Sequence, residues 1–240
     1  MDEGALAVIN IHPQTFYKEE SGISQRDLIG LMAVGIAHEI RNPLTVIKGY
    51  LQLQEKKAAC CTDESLAIIL QELGKIEEFV RVIISLAHNK ASSKSPQNLN
   101  DILQKVYPSI QQAAARNGIA AELVLGKRLP LVNLNAAEIE QLIMHLAGNG
   151  IEAMGTGGRL TLGAVQGKQG VLLYVQDEGR GIPPAQKRKI FAPFFTTKAA
   201  NAGLGLAVSL SIVERHQGRI QVMSAPGAGS IFKIRFPVVK

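Results

Sequence analysis

Apolar residues recur along this chain in two rhythms, and the change of rhythm divides it. From Ser24 onward the rhythm is helical. Ile29, Ala33, Ile36, Ile40, Leu44, Ile47 and Leu51 are separated by steps of 4, 3, 4, 4, 3 and 4, the spacing of one buried helix face. Ser24 and Asp27 have capping-box-like spacing at its start. The polar and small residues of "KKAACCTDES" then interrupt the pattern. A second helix is predicted from Asp63 or Glu64, with acids in its first turn where the helix dipole favours them. Its stripe is Leu66, Ile69, Leu73, Ile76, Val80, Ile83 and Ala87, alternating steps of 3 and 4 over three heptads. That alternation marks coiled-coil-like bundle packing. Two such helices on a short loop predict an antiparallel hairpin. One hairpin buries each stripe on one side only, so pairing of two hairpins into a four-helix bundle is the expected completion.

The stretch "HNKASSKSPQ" (88–97) has no apolar period and reads as a linker. Beyond it the texture is mixed. A helix near Asp101–Asn117 precedes a strand-like "IAAELVL", and a second helix covers about Ala136–Met154. "RLTLGAV" and "VLLYVQD" are strand patterns around a glycine-containing turn. A glycine-rich irregular stretch runs from about Asp177 to Gly205. A helix over about Leu206–Gln217 and the strands "RIQVMSA" and "SIFKIRFP" follow. Helices and strands interleaved in this way predict a two-layer α/β sandwich. The whole chain is therefore expected to be α+β. Its expected parts are an N-terminal segment without an assigned role (1–20), a helical hairpin (21–91), a linker (92–98) and the sandwich (99–240). Within the first segment, "ALAVINI" reads either as a short strand or as the tail of something upstream.

Composition narrows the classes. The chain has 240 residues, 46% hydrophobic and 19% charged, which is ordinary for a globular protein and enough for one large domain or two small ones. It contains no apolar run of membrane-spanning length and no stretch with signal-peptide anatomy. Cys60 and Cys61 are adjacent, so they form neither a CxxC metal pair nor a disulfide framework, and a cytoplasmic setting is expected. The net charge is +6. The basic residues are scattered apart from Lys187, Arg188 and Lys189, and no nucleic-acid motif accompanies them, so no nucleic-acid partner is expected.

Candidate chemistry begins at "VGIAHEIRNPLTVIKGY". A zinc-protease HExxH would need a histidine where Asn42 stands, which excludes that reading. Each helical residue turns the side chain by ~100°. His38 lies two residues from both Ile36 and Ile40, so it points away from the buried stripe, and Asn42 shares its face. Pro43 has no N–H for the Glu39 carbonyl, which predicts a loosened turn beside His38, at a cost of ~3 kcal/mol in an ordinary helix interior. A presented imidazole with an unperturbed pKa of about 6.5 is mostly neutral and nucleophilic near neutral pH. Glu39 is the nearest carboxylate to orient it, although adjacent helical residues do not face each other, so a solvated surface acid is the alternative.

Four pieces in the second half suggest a nucleotide site. "HLAGNGIEAM" puts Asn149 mid-helix with His145 one turn earlier on the same face, and its amide oxygen suits a hard cation such as Mg²⁺. "DEGRGIPP" ends an apolar strand at Asp177, whose carboxylate can accept from an exocyclic amine, while Gly179 and Gly181 let a flat ring approach the backbone. "IFAPFFTTK" comes next. "NAGLGLAVSL" then leads glycines into a helix N-terminus, where exposed N–H groups favour phosphate. Each piece alone is weak, but the set in this order is specific. No P-loop and no HRD/DFG set is present.

These residues carry a family resemblance over about 24–237. "GIAHEIRNPLTVIKG" resembles the H-box of bacterial sensor histidine kinases. "HLAGNGIEAM", "DEGRGI", "FAPFFTTK" and "GLGLAV" are similar to their N, G1, F and G2 boxes. "GIAHEIRNPLTVIKGYLQL" resembles most the sporulation kinases of endospore-forming bacilli. The resemblance implies a dimeric phosphoacceptor hairpin over 24–90 and a Bergerat-type ATP-binding domain. It implies that His38 takes the γ-phosphate of ATP, that Glu39 is its base or orienter, and that Asn42 serves phosphatase chemistry. It further implies that Asn149, next to His145 in the N-box, holds Mg²⁺ and that Asp177 recognises the adenine amine beside Gly179, Gly181 and Ile182. Thr196, Thr197 and Lys198 would order a lid, and Gly203, Leu204, Gly205 and Leu206 would wrap the phosphates. The implied partners are a second copy, the receiver domain of a response regulator and regulatory proteins docking on the bundle. The implied setting is the cytoplasm, including the cytoplasmic part of a membrane-anchored sensor. An alternative is a regulator-binding phosphotransfer or phosphatase module with a weakened ATP site. A plain ATPase of the same superfamily has no reason to carry the hairpin with a presented histidine.

The chain departs from the family pattern at four positions. His145 stands where the N-box usually begins with Asn, and Gly150 replaces the usual Ala, which weakens that helix by about 1 kcal/mol. Asn201 and Ala202 replace a glycine and a hydroxyl donor ahead of Gly203. Weaker or slower ATP binding than in a full-consensus relative is expected. Asn201→Gly with Ala202→Thr tests this, and affinity that fails to rise counts against it.

Overall fold

The computed structural model describes residues 7–11, 40–53, 63–87, 93–187, 189–197 and 203–239. The chain divides into two compact units. One comprises Met1–Ser21, Lys90–Thr197 and Gly203–Lys240, and the other Gly22–Asn89 with Lys198–Ala202.

The second unit is helical. α1 covers 40–53 and α2 is Asp63–Ala87, with Asp63 and Glu64 in its first turn as the sequence predicts. Pro43 is buried near the start of the described helix, and the Thr45 hydroxyl donates to the Arg41 carbonyl at 2.8 Å. In the single chain the predicted stripes are only partly covered. Ile47 is 9% exposed, but Leu44 and Leu51 are 48% and 52% exposed. Likewise Ile69 is buried while Leu66, Leu73 and Val80 are exposed. The apolar spacing thus forms the helices, but one hairpin leaves half of each stripe open, as a face awaiting another helix would be. The stripe positions Ile29, Ala33 and Ile36, the Ser24–Asp27 start, and the side chains of Ile83 and Ala87 lie outside the described residues.

The first unit is a sheet with helices packed on it. Its six strands run in the order β1-β7-β8-β6-β5-β3, where β1 is Ala7–Ile11, β3 Ala120–Leu125, β5 Arg159–Gly167, β6 Gly170–Asp177, β7 Arg219–Ser224 and β8 Ser230–Phe236. Only β3 and β5 pair in parallel. Burial alternates along β8, with Ser230, Phe232, Ile234 and Phe236 inward and Ile231, Lys233 and Arg235 outward, the period of a sheet covered on one face. α3 (Leu99–Ala115), α4 (Ala136–Met154) and α6 (Gly205–Arg215) supply the cover. Ile102, Leu103, Val106 and Ile110 come from α3, Ile139, Leu142, Ile143 and Leu146 from α4, and Val208, Leu210, Ile212 and Val213 from α6. This is the expected two-layer arrangement.

Asparagines start two of these helices. Asn98 Oδ1 accepts from the Asn100 N–H, and Asn135 Oδ1 accepts from the Glu138 N–H at 3.1 Å, each satisfying an otherwise unpaired first-turn donor. The backbone N–H of Asn135 donates to Nε2 of His216, which caps the far end of α6. The other ring nitrogen of His216 donates to the Ile212 carbonyl at 2.7 Å. This buried histidine therefore pins the end of α6 to the start of α4.

The structure corrects several expectations. The stretch read as a linker contains a strand, β2 (Ser95–Gln97), paired antiparallel with β4 (Val132–Leu134) in a separate two-stranded sheet. Neither strand has enough alternating residues to announce itself in sequence. α3 begins two residues earlier than predicted because Asn98 caps it, and α6 begins one residue earlier, at Gly205. The irregular stretch after Asp177 holds one short helical turn, α5 (Pro184–Lys187). Of the two readings of "ALAVINI", the strand is correct. Residues 7–11, within the segment read as having no assigned role, join the sheet beside β7.

Candidate nucleotide site

The site forms where β6 ends. Asp177 is the last residue of that strand and is only 5% exposed. Its Oδ1 accepts from the Gly179 N–H at 2.9 Å. Strand register sets Asp177 opposite Ser230, whose backbone and hydroxyl both hydrogen-bond the carboxyl. Burial pushes the Asp177 carboxyl up to about 6, and the bonds from Gly179 and Ser230 pull the other way. A buried carboxyl at a strand end, with glycines packed against it, can accept a hydrogen bond from an amine-bearing flat ring.

The walls around Asp177 are backbone. A Cβ on Gly150 would stand 2.8 Å from Leu160 Cδ1 and 3.2 Å from the Asp177 Cβ. A Cβ on Gly179 would meet the Ala153 backbone at 2.8 Å and Asp177 Oδ1 at 2.8 Å. Gly181 has φ +67 and lies on the Ala225 carbonyl, where a Cβ would come within 1.9 Å of the oxygen. Only glycine meets both conditions.

A set of hydroxyls holds this loop in place. Ser224, at the end of β7, donates from its hydroxyl to the Gly229 carbonyl at 2.7 Å and accepts from the Ile182 N–H at 2.8 Å. Its Oγ lies 3.0 Å from that of Ser230. The buried Lys187 ammonium of α5 donates to the Ser224 carbonyl. The carboxyl of Asp177, the backbone of Ile182 and the start of the 190s segment are thereby tied to one β7–β8 turn.

The other end of the candidate site is built by α4 and α6. His145 and Asn149 lie one turn apart on α4, both partly exposed. A Cβ on Gly205 would be 3.8 Å from the His145 Cγ, so α6 begins directly against that face of α4. Leu204, the N-cap of α6, makes no side-chain capping bond, which leaves the first-turn N–H groups of α6 without a side-chain cap. Gly203 has φ +67 and packs on the backbone of Phe194 and Phe195, where a Cβ would come within 2.7 Å of the Phe194 carbonyl carbon. Phe194 itself is left-handed, with φ +65, a strained conformation for an aromatic residue. Arg180 donates to the Thr197 hydroxyl at 3.3 Å.

The structure thus brings Asp177 to Gly150, Gly179 and Ser230, His145 to Gly205, the 194–195 backbone to Gly203, and Arg180 to Thr197. Thr196 is exposed at the end of the same segment. Asn42 is exposed on α1 in the helical unit. His38, Glu39, Lys198, Asn201 and Ala202 lie outside the described residues. No group of three His, Cys, Asp or Glu residues is placed to hold a metal ion among the described residues. No described helix is long and apolar enough to cross a membrane. Sequence reasoning missed Ser224, Ser230 and Lys187. Two serines and a lysine carry no signal until strand register sets Ser230 opposite Asp177 and Ser224 opposite Ser230.

Comparison with known proteins agrees with this geometry. Residues 29–92 match the His Kinase A (phospho-acceptor) domain, and residues 135–240 match the histidine kinase-, DNA gyrase B- and HSP90-like ATPase family. The chain is 37% identical over 211 residues to sporulation kinase A of Bacillus subtilis, covering 88% of this chain and 35% of that protein. The histidine kinase ThkA, solved in complex with the response regulator protein TrrA, superposes with a TM-score of 0.72 at 28% identity, over 95% of this chain and 68% of that one. The histidine kinase AdeS of Acinetobacter baumannii shares the fold, with a TM-score of 0.71 at 24% identity, over 85% of this chain and 98% of that one. The chain spans about a third to a half of the length of the curated relatives it matches. A phosphoacceptor helical domain followed by this ATPase sheet, with the matching motifs in order, places the chain in the sensor histidine kinase family.

Proposed function

We propose that the chain is the core of an autophosphorylating protein-histidine kinase that binds ATP at Asp177 and phosphorylates His38. The observation that carries this reading is the Asp177 carboxyl, buried at a strand end with Gly150 and Gly179 against it. Its remaining acceptor capacity suits the exocyclic amine of adenine. Gly181 and Ile182 continue that wall. The uncapped start of α6, at Gly203, Leu204, Gly205 and Leu206, suits the phosphates. Thr196, Thr197 and Lys198 order the segment that closes over them. A divalent cation such as Mg²⁺, when bound, offsets phosphate charge. The amide oxygen of Asn149 would hold it as one ligand, since a hard cation takes oxygen donors.

In the reaction a ring nitrogen of His38 attacks the γ-phosphorus. The N–P bond forms as the bond to the ADP oxygen breaks, ADP leaves with that electron pair, and the ring proton passes to Glu39. The phosphoryl group then moves to an aspartate carboxylate of a response regulator. The similarity to sporulation kinase A supports a place in a sporulation phosphorelay. The half-open stripes on α1 and α2 support a homodimer through residues 24–90. The domain roles follow: 21–91 for dimerisation and phosphotransfer, 99–240 for ATP binding.

The exposure of Asn42 and the departures at Asn201 and Ala202 favour a second reading, a regulator-binding phosphatase or transfer module with a weak ATP site. Incubation with γ-labelled ATP and Mg²⁺ separates the two. The kinase reading expects acid-labile, alkali-stable label that vanishes in His38→Gln. Label that survives that substitution, or no label with ATP demonstrably bound, refutes it. Phosphotransfer profiling against a panel of receiver domains identifies the regulator.

A further inference from the structure

The sheet of the ATPase unit includes a strand that the nucleotide site does not use. β1 pairs antiparallel with β7 over its full length, from Ala7 opposite Ser224 to Ile11 opposite Ile220, and forms the outer strand of the six. The chain then enters the helical unit at Gly22 and returns to the ATPase unit at Lys90. While β1 is paired, the helical unit is a loop attached to the ATPase unit at both of its ends. With β1 unpaired, the connection that precedes Gly22 no longer ends on the sheet.

We infer that the outer edge of β7 is a strand-docking surface whose occupant is residues 7–11, and that docking restrains the travel of the ATPase unit between the positions its reaction requires. The restraint rests on the kinase reading; the docking does not. An autophosphorylating kinase must carry its nucleotide to the histidine and then withdraw, so that a regulator can reach the phosphohistidine. A second attachment removes part of that freedom. A five-residue outer strand with a ladder on one side belongs to the easily opened end of a sheet's local stabilities. A force or partner acting on residues 1–21 is then enough to detach it, which makes the strand a route by which upstream events reach the ATPase unit.

The test uses the full chain with Val8→Pro and Ile9→Pro together. Adjacent residues in a ladder turn their N–H groups to opposite sides, so one of the two prolines must remove a bond toward β7. In this variant the β7 amides that face β1 are expected to exchange hydrogen faster, with β6 unchanged. The initial rate of His38 labelling is expected to rise several-fold at unchanged ATP affinity. A second variant closes the edge instead. Ile9→Cys and Val222→Cys, opposite each other in register, are combined with Cys60→Ser and Cys61→Ser. The oxidised form is expected to label more slowly, with the rate restored by reductant. Unchanged β7 exchange in the proline variant overturns the docking. Faster exchange with an unchanged or lower labelling rate overturns the restraint. A wild-type chain that takes no label on His38 overturns the kinase reading and the restraint together, and the exchange measurement then decides the docking by itself.

Discussion

Gly150 on α4 sits directly against Asp177, with only 3.2 Å between the Asp177 Cβ and the place a Cβ would occupy at position 150. Helix propensity alone favours alanine there by about 1 kcal/mol. The packing opposes it, because the same Cβ would stand 2.8 Å from Cδ1 of the fully buried Leu160, and overpacking a core costs about 1–3 kcal/mol. Gly150→Ala is therefore expected to lower the melting temperature and weaken ATP binding, as read by thermal unfolding and titration calorimetry. A more stable variant that binds ATP as well as wild type would show that Leu160 gives way freely.

If Asp177 binds the nucleotide as proposed, its carboxyl makes stability and binding oppose each other. Its folded value is raised to about 6 from an ordinary 3.8. A raised carboxyl favours the fold below pH 3.8, where folded and unfolded forms are both protonated. That contribution is lost as pH rises from there through 6. At neutral pH the buried charge then costs on the order of 3 kcal/mol. Asp177→Asn is expected to bind no ATP and yet to match or exceed wild-type stability at pH 7.5, with the advantage shrinking as pH falls toward 4. Urea unfolding across that range measures it.

On the proposed function the same group sets the pH dependence of nucleotide binding. An adenine amine needs an acceptor, and protonation removes much of the acceptor capacity of Asp177. ATP affinity is expected to weaken as pH falls through about 6. Affinity that stays flat from pH 7.5 to 5.5 would count against Asp177 as the base-recognition group.

His216 contributes in the opposite pH direction. Burial lowers its value below the ordinary 6.5, so the folded chain holds it neutral. Stability is expected to fall as pH drops below about 6.5, where the unfolded chain takes up the proton first. His216→Ala leaves the Asn135 N–H without its acceptor, a loss of about 1–3 kcal/mol, and is expected to flatten that part of the stability profile.

Gly203 tests the phosphate end. With φ +67 and the Phe194 backbone against it, Gly203→Ala is expected to displace the start of α6, raise the Kd for ATP at least tenfold and lower the melting temperature of the unit. Fluorescent-nucleotide titration reads the affinity and calorimetry the melting temperature.

The helices α1, α2, α3, α4 and α6 and the strands β3, β5, β6, β7 and β8 were legible in sequence because each carries enough apolar residues in one rhythm to bury a face. The motifs at His145, Asn149, Asp177 and Gly203 were legible because glycines and polar side chains interrupt those rhythms at element ends. β2 and β4, at three residues each, have too short a pattern to register, and the "SPQ" of β2 reads as loop. The cost assigned to Gly150 was only half of its meaning, because helix propensity is local and the neighbours Leu160 and Asp177 are not.

From its order of residues alone, then, this protein is a helical hairpin followed by an α/β layer, with the histidine-kinase motifs in sequence. Those properties depend on periodicity and residue type within short windows. Only the tertiary structure set Ser230 beside Asp177, hung the 177–182 loop on Ser224, brought Gly205 against His145, and attached residues 7–11 to the far edge of the sheet. Those are contacts between segments distant in the chain. Strand register and packing choose them, and no local pattern encodes the partner.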